Sequence, residues 1–223
     1  MDIVYIDRKT GKKKREIVAG DRALQWVYGT AQGDMTLEML IKRKFFSWIY
    51  GKFQDMPLSR RKIKKFIKEL DIDIGELENA DLSYYKNFND FFVRKLKTET
   101  RPICSMEGSL ISPGDGRILA YEDINVKKLL QVKGHEYTME ELIKDKNLAL
   151  DYNGGASIIL RLNPSDYHRF HFPDNGIPET GQKIKGSYYS VNPIALRKKA
   201  RIYCQNKREI TLFRSENFGQ VLM

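Results

Sequence analysis

Cysteine is scarce in this sequence. Its 223 residues contain only Cys104 and Cys204, which are far apart and lack CxxC spacing. A disulfide framework and a cysteine zinc site are therefore not expected, and a reducing compartment is the default expectation. No apolar run approaches the roughly 20 residues that cross a bilayer, and the first residues lack the pattern of a signal peptide. We therefore expect any contact with a membrane to be made from one side.

Acidic residues are also in the minority. The chain has 39 Lys and Arg against 29 Asp and Glu, a formal net charge of +10, of which +7 lies in residues 1–104. The hydrophobic share of 41% is too high for a disordered polyelectrolyte, so the composition predicts a folded, basic protein.

Local patterns in the first half predict a hairpin followed by helices. Residues 4–17 read as two extended segments around a Thr10-Gly11 turn, and apolar spacing over residues 35–53 predicts one amphipathic helix with a basic margin. Ser59 is the expected N-cap of a second helix, and a third is expected over residues 87–97. The second helix has one apolar stripe, formed by Ile63, Phe66, Ile67 and Leu70.

Short β-type runs punctuated by Gly and Pro follow Arg101-Pro102. They cover residues 118–121, 158–162, 187–191 and 210–213. Helices in front of a mostly antiparallel, β-rich part predict an α+β fold. We place a helical region at residues 1–104 and a β-rich domain at residues 105–223.

The basic helices allow three interpretations. Residues 60–68 carry six Lys and Arg opposite the apolar stripe, which is typical of a solvated helix face. Clustered cations also suit nucleic acid, and cations beside Phe45, Phe46 and Trp48 suit an anionic lipid surface. Charge alone does not decide between these interpretations, although no helix-turn-helix or zinc-finger motif is present.

The three histidines lie in the second half, at His135, His168 and His171. The last two share a Pro-bounded segment, and their i, i+3 spacing is suited to presenting both imidazoles to one pocket. Histidine exchanges protons near neutral pH. Acid/base catalysis, phosphate binding and metal ligation all remain open for this pair.

The Ser112-Pro-Gly-Asp-Gly-Arg-Ile segment reads first as a β-turn leading into a strand. An aspartate held in such a turn, Asp115, is also suited to orienting a histidine and stabilising its imidazolium. No GxSxG nucleophile motif occurs, and neither cysteine has a recognisable nucleophile context. The residues alone thus indicate an acid/base pair without its nucleophile.

An ordered series of motifs resembles the phosphatidylserine decarboxylase family, from about residue 35 to the end. The Asp-Tyr-His-Arg-Phe-His-Phe-Pro block is the most specific of them. The blocks are Phe88-Asn-Asp-Phe-Phe-Val-Arg-Lys-Leu-Lys, Arg101-Pro-Ile, Ser112-Pro-Gly-Asp-Gly, Lys133-Gly-His-Glu-Tyr, Gly154-Gly, Arg161-Leu-Asn-Pro-Ser-Asp-Tyr-His-Arg-Phe-His-Phe-Pro, Gly176 and Tyr189-Ser-Val-Asn-Pro.

The resemblance implies a carboxy-lyase that converts phosphatidylserine to phosphatidylethanolamine and CO₂ through a Schiff base with a self-generated pyruvoyl group. By motif correspondence, Asp115 and His171 would activate the serine whose self-cleavage forms that group. His168 would reprotonate the carbanion left by CO₂. No metal ligand is implied.

The implied partners are phosphatidylserine, an anionic membrane surface and the small pyruvoyl-bearing subunit of the same proenzyme, with no nucleic acid. A homodimer stays open. Because the substrate is a lipid, the resemblance favours membrane docking by residues 35–70, at the cytoplasmic side of the cell membrane. A non-catalytic protein that binds anionic lipid is the alternative.

Two features depart from the family pattern. The Gly-Ser-Thr motif that supplies the pyruvoyl-forming serine is absent, and the Gly-Ser pairs at Gly108 and Gly186 look like ordinary turn or strand residues. We therefore expect a C-terminally truncated proenzyme that is inactive alone and prone to aggregation. Lys207 also stands where the family usually has Glu.

Overall fold

The computed structural model of the chain describes residues 4–17, 21–130, 136–199 and 201–223. His135 and its neighbours Lys133 and Gly134, part of one quoted motif, lie outside these described residues. Helices dominate the first half and short antiparallel strands the second, so the predicted α+β class is confirmed.

Nine α-helical segments lie in the described part of the chain, five before residue 105 and four after it. They are α1 (Asp21–Gly29), α2 (Ala31–Thr36), α3 (Lys44–Asp55), α4 (Lys62–Leu70), α5 (Phe88–Phe92), α6 (Met139–Ile143), α7 (Lys146–Asp151), α8 (Pro193–Lys198) and α9 (Ile202–Gln205).

The strands pair antiparallel throughout the described residues. They are β1 (Val4–Ile6), β2 (Lys13–Arg15), β3 (Arg117–Tyr121), β4 (Leu129–Leu130), β5 (Glu136–Tyr137), β6 (Ser157–Arg161), β7 (Gly176–Pro178), β8 (Gln182–Ile184), β9 (Arg208–Ile210), β10 (Leu212–Ser215) and β11 (Gly219–Leu222). β1 pairs with β2, β3 with β6, β4 with β5 and β8 with β9, and β10 lies between β7 and β11.

The predicted N-terminal hairpin is confirmed as β1 and β2. The Asp7 carboxylate accepts hydrogen bonds from the Thr10 amide at 2.8 Å and the Thr10 hydroxyl at 2.9 Å. Gly11 has φ +66°, a left-handed conformation that glycine adopts without strain. Lys14 closes the hairpin with a 2.6 Å ion pair to Asp7.

The prediction of a single helix over residues 35–53 is wrong. α2 continues into a π-helical turn at Leu37–Ile41, and α3 begins only after an extended Arg43. The carbonyl of Lys42 accepts a hydrogen bond from the Tyr188 amide at 3.1 Å, instead of an amide of its own helix. A contact with a distant segment therefore accompanies the break between the two helices.

Ser59 is not the N-cap of its own helix. It lies within a 3₁₀ turn at Pro57–Arg61, and its hydroxyl donates to the Gln54 carbonyl and accepts from the Phe88 amide at 2.8 Å. It therefore satisfies the first amide of α5. The helix expected over 87–97 is limited to α5, because Leu96 forms a β-bridge with Leu77.

Residues 187–191 do not form the expected strand. Ser187 makes one parallel bridge with Asn206, and the Asn206 side chain then takes the place of a neighbouring strand. Its Oδ1 accepts from the Tyr189 amide at 2.9 Å, and its Nδ2 donates to the Tyr189 carbonyl at 2.8 Å. Because both backbone groups of Tyr189 are satisfied in this way, no ladder is needed there.

Three clusters of buried apolar side chains form the core within the described residues. The first joins Tyr28 and Leu37 of the N-terminal helical region to Leu196 and Ile202 of α8 and α9. The second surrounds Phe91 and contains Ile63, Phe66 and Ile67 of the predicted apolar stripe of α4. Ile63 and Leu70 of that stripe are buried, and Phe66 and Ile67 are half-buried. The third packs α6 and α7 against neighbouring strands. The proposed division at residue 104 stays a prediction.

Replacing Phe91 by alanine tests the second cluster. Phe91 is 0% exposed and contacts the Tyr85 ring edge-to-face at 5.1 Å, so we expect Phe91→Ala to lower the free energy of unfolding by about 3–5 kcal/mol. Phe45 is 70% exposed, and Phe45→Ala should stay within about 0.5 kcal/mol of the parent. Urea denaturation measures both changes, and equal losses would contradict this description of the core.

Candidate active site

The turn before β3 and the segment after β6 lie side by side. β3 and β6 pair over five residues, and two further backbone hydrogen bonds continue the pairing. The amide of Ile111 donates to the Pro173 carbonyl, and the amide of His171 donates to the Pro113 carbonyl, each at 2.9 Å. The turn that carries Asp115 therefore adjoins the segment that carries His168 and His171.

Two glycines allow this close approach. A Cβ atom at Gly116, where φ is +152°, would lie 2.8 Å from the Arg161 carbonyl oxygen. A Cβ atom at Gly114 would lie 3.4 Å from the carbonyl oxygen of Arg169. Gly116 thus has a packing reason for lacking a side chain, which explains the second glycine of the turn motif.

The Asp115 carboxylate is bound by a guanidinium. Arg101 donates from Nε at 2.9 Å to each carboxylate oxygen and from Nη2 at 2.8 Å. Arg101 also contacts Glu76 at 3.1 Å, and the hydrogen bonds that it donates to both carboxylates raise the pKa of Arg101. Within the described residues, Asp115 is hydrogen-bonded to Arg101 and to neither imidazole.

His168 is half-buried, with its ring packed against Phe92 at a centroid distance of 4.1 Å. Its Nδ1 lies 3.0 Å from the Asp166 carbonyl oxygen, and because a carbonyl only accepts, Nδ1 carries the proton. Burial lowers the pKa of His168 and outweighs the opposing effect of the hydrogen bond to the Asp166 carbonyl, and the charge of Arg94 adds to the lowering. The imidazole is therefore mainly neutral at pH 7, with Nε2 as its basic atom.

His171 is in a different environment, although it is only three residues away. Its side chain is exposed, beside the 79% exposed Phe170. The backbone of His171, rather than its ring, makes the contact with the turn of Asp115. The structure thus places the three predicted site residues on two adjoining backbone segments, the turn of Asp115 and the segment of the two histidines. Their catalytic roles stay predictions.

A cavity of about 500 Å³ opens beside these two segments. Asp115 lines it together with Arg94, Arg101, Arg117 and Asp166, whereas neither His168 nor His171 is among its lining residues. This cavity is therefore not the pocket that the two imidazoles were expected to share. Its walls combine cations and carboxylates, so it has no strong preference for one sign of charge.

A buried charge network links the cavity to the N-terminal hairpin. The Glu16 side chain is 0% exposed and binds Arg161 through two hydrogen bonds, at 3.0 and 2.5 Å. Arg117 binds both oxygens of the Asp166 carboxylate at 2.8 Å. Sequence reasoning missed Glu16 because it lies outside the recognised motifs, and no local pattern marks a charged residue as buried.

The helices of the N-terminal half leave a broad apolar surface uncovered. Most of this surface follows α2, the π-helical turn and α3, and we call it the apolar helical surface. Its exposed members are Met35, Met39, Leu40, Phe45, Phe46, Trp48, Tyr50, Phe53, Met56 and Leu58. No helix among the described residues has the length and hydropathy needed to cross a membrane.

A second cavity, of about 400 Å³, lies between this helical region and the segment around Tyr188. Its lining is largely apolar and includes Leu24, Val27 and Ile41. Lys207, the residue that departs from the family pattern, also lines it and has its Nζ 6.0 Å from the centre of the Tyr188 ring. The lysine therefore adds a positive charge beside an apolar space.

Comparison with known proteins identifies the family. The phosphatidylserine decarboxylase family profile matches residues 88–223, which include the turn of Asp115 and both described histidines. The chain is similar to proteins named phosphatidylserine decarboxylase proenzyme from several bacteria. One from Clostridium botulinum is 52% identical over 220 residues, and ones from Desulfitobacterium hafniense and Clostridium perfringens are each 50% identical over 220 residues.

Each of these matches covers 99% of this chain and 74% of the relative. The similarity thus extends over the hairpin and helices in front of the profile match, including Glu16 and the apolar helical surface. Agreement at this level across nearly the whole chain establishes common descent. The chain belongs to the phosphatidylserine decarboxylase family, a family of carboxy-lyases.

Proposed function

We propose that this chain forms the proton-handling part of an enzyme that converts phosphatidylserine to phosphatidylethanolamine and CO₂. The observation that carries the proposal is His168, a half-buried imidazole held at Nδ1 by the Asp166 carbonyl in a chain of this family. Among the described residues, no side chain or backbone group is hydrogen-bonded to its Nε2. The hydrogen-bonding capacity of that atom is therefore not taken up by the described part of the protein.

Loss of CO₂ from the serine headgroup leaves negative charge on the carbon that bears the amine. A pyruvoyl group, when present, supplies the electron-withdrawing carbonyl that this charge needs and that ordinary side chains lack. His168 meets the remaining requirement, which is a proton for that carbon. Because burial lowers its pKa, the ring is mainly neutral at pH 7, so its Nε2 must first take up a proton, which the resulting acidic imidazolium then gives up readily.

We propose that Asp115 and His171 act earlier, in forming the pyruvoyl group. The exposed His171 is suited to taking the proton of a serine hydroxyl, and Asp115 lies in the adjoining turn to stabilise the resulting imidazolium. Asp115 is bound by Arg101, so the proposed pairing requires its carboxylate to be shared between Arg101 and His171.

The serine itself is proposed to lie on a small subunit of the same proenzyme. The 223 residues contain no Gly-Ser-Thr. Gly108 has φ +74° in a turn, and a Cβ at Gly186 would lie 2.4 Å from the Asn206 backbone, so both Gly-Ser pairs have structural reasons for their glycine. We therefore propose that the 223-residue chain is inactive without that subunit.

The apolar helical surface is proposed to bind the membrane that holds the substrate. Its exposed Phe45, Trp48 and Phe53 lie on α3 together with Lys44 and Lys52, a combination that suits the interface of an anionic bilayer. We propose a peripheral location at the cytoplasmic side of the cell membrane. A non-catalytic lipid-binding protein is the second candidate, and the same exposed surface favours it.

Reconstitution tests the catalytic proposal. The 223-residue chain alone should form no phosphatidylethanolamine from phosphatidylserine vesicles. Co-expression with the part of the Clostridium botulinum relative that the chain does not match should restore product. In that assembly His168→Asn should slow turnover by at least about a hundredfold, because it removes the proton donor, and His171→Asn should block self-cleavage. Mass spectrometry of lipid and protein measures both.

Exposed Lys128 provides the control, since Lys128→Gln should process and turn over like the parent. Product formation by the chain alone, or full turnover by the processed His168→Asn assembly, would contradict the proposal. An assembly that binds vesicles but never yields product would favour the non-catalytic candidate.

Vesicle flotation tests the membrane surface. A Phe45→Ser and Trp48→Ser double variant should bind anionic vesicles at least about tenfold more weakly, since each aromatic side chain buried at the interface contributes about 1.5–3 kcal/mol. Tyr84 is 63% exposed elsewhere, and Tyr84→Ser should bind like the parent. Equal binding by all three proteins would argue against this surface, and salt-dependent retention of oligonucleotides instead would favour nucleic acid.

A further inference from the structure

Glu16 is a buried carboxylate at the end of the N-terminal hairpin. Besides its two hydrogen bonds from Arg161, it accepts one from Asn163 Nδ2 at 2.9 Å and lies 3.8 Å from Arg117 Nε. Burial raises the pKa of Glu16, but the hydrogen bonds from Arg161 and Asn163 outweigh it and leave the net pKa below its ordinary value. The group is therefore an ionised anchor at neutral pH.

Asn163 connects this anchor to the segment of the histidines. It is 3% exposed, and its Nδ2 donates to Glu16 and to the Ile17 carbonyl at 3.1 Å. Its Oδ1 accepts from the Ser165 amide at 3.1 Å and the Ser165 hydroxyl at 3.0 Å. Because both the Nδ2 and the Oδ1 of Asn163 are hydrogen-bonded, the orientation of its side chain is fixed by Glu16 and Ile17 of the hairpin region and by Ser165.

The turn that follows is held at each end. The backbone amide of Asn163 donates to the Asp166 carboxylate at 2.7 Å, and the backbone amide of Asp166 donates to the backbone carbonyl of Asn163 at 2.8 Å. The Asp166 carbonyl then accepts from His168 Nδ1 at 3.0 Å and from Arg94 Nη2 at 3.2 Å. A continuous chain of hydrogen bonds thus runs from Glu16 to the imidazole.

We propose that Glu16 is a positioning residue that fixes the tautomer and orientation of His168 through Asn163 and the turn at residues 163–166. The importance of Glu16 for catalysis rests on the proposed role of His168. A neutral amide at position 16 would present donors or a weaker acceptor to Arg161 and Asn163, and the turn would lose its connection to the hairpin. Asp166 would then be held by Arg94 and Arg117 but not through Asn163, and its carbonyl would hold His168 Nδ1 less firmly in one place.

A purely structural role for Glu16 is the alternative. The Glu16–Arg161 pair would then stabilise the hairpin against β6 without affecting the imidazole. The two roles differ in what they predict for the ring of His168, which reports its own tautomer through the chemical shifts of its two nitrogens.

NMR of the full chain labelled with ¹⁵N-histidine provides the test, because the chain has only three histidines. In the parent, His168 should show a protonated Nδ1 and an unprotonated Nε2 at a pH above its titration. Glu16→Gln should reduce the shift difference between the two nitrogens toward that of an averaged ring, and His171 should be unchanged. Asp7→Asn removes a carboxylate from the same hairpin and should leave His168 as in the parent.

Asn163→Ser serves as the second variant, since losing the partner of a buried charge can unfold a domain. It keeps the Glu16–Arg161 pair but breaks the link to the turn, so the change at His168 should be the same as in Glu16→Gln. An unaltered His168 in either folded variant would overturn the proposal. The readout involves no turnover, so this result is independent of whether the decarboxylase proposal holds.

Discussion

The antiparallel pairing of β3 with β6 is the constraint on which the site depends. Strand side chains alternate between faces, so a slip of one residue would exchange the faces of every side chain on the moving strand. The close contact of Gly116 with the Arg161 carbonyl and the bonds beyond the ladder at Pro113 and Pro173 are consistent with one register. In that register the turn of Asp115 adjoins the histidine segment.

Charge is distributed in two different ways in this chain. Around the ladder, Arg101, Arg117 and Arg161 are each matched by a carboxylate, and the pKa values of Arg101 and Glu16 shift in the directions that keep both charged. On the helices, cations face solvent beside uncovered aromatic side chains. The cations of the helices therefore face solvent, while the charges near His168 are held in fixed positions.

Sequence patterns predicted the elements that depend on neighbouring residues. The hairpin at Thr10-Gly11 and the apolar stripe of α4 follow from local turn chemistry and helical spacing. The helix break at Lys42, the capping of α5 by Ser59 and the missing strand near Tyr189 all depend on contacts with distant segments, which local patterns do not contain. Asp115, His168 and His171 were found through motifs, whereas the link from Glu16 exists only once the hairpin packs against β6.

Amide hydrogen exchange at His171 and Ile111 tests the central claim, that backbone pairing beyond β3 and β6 joins the turn of Asp115 to the histidine segment. Both amides donate to carbonyls of the opposite segment at 2.9 Å. The account predicts exchange at least about a hundredfold slower than in an unstructured peptide. Exchange at the unprotected rate for these two amides, with β3 and β6 still protected, would contradict it.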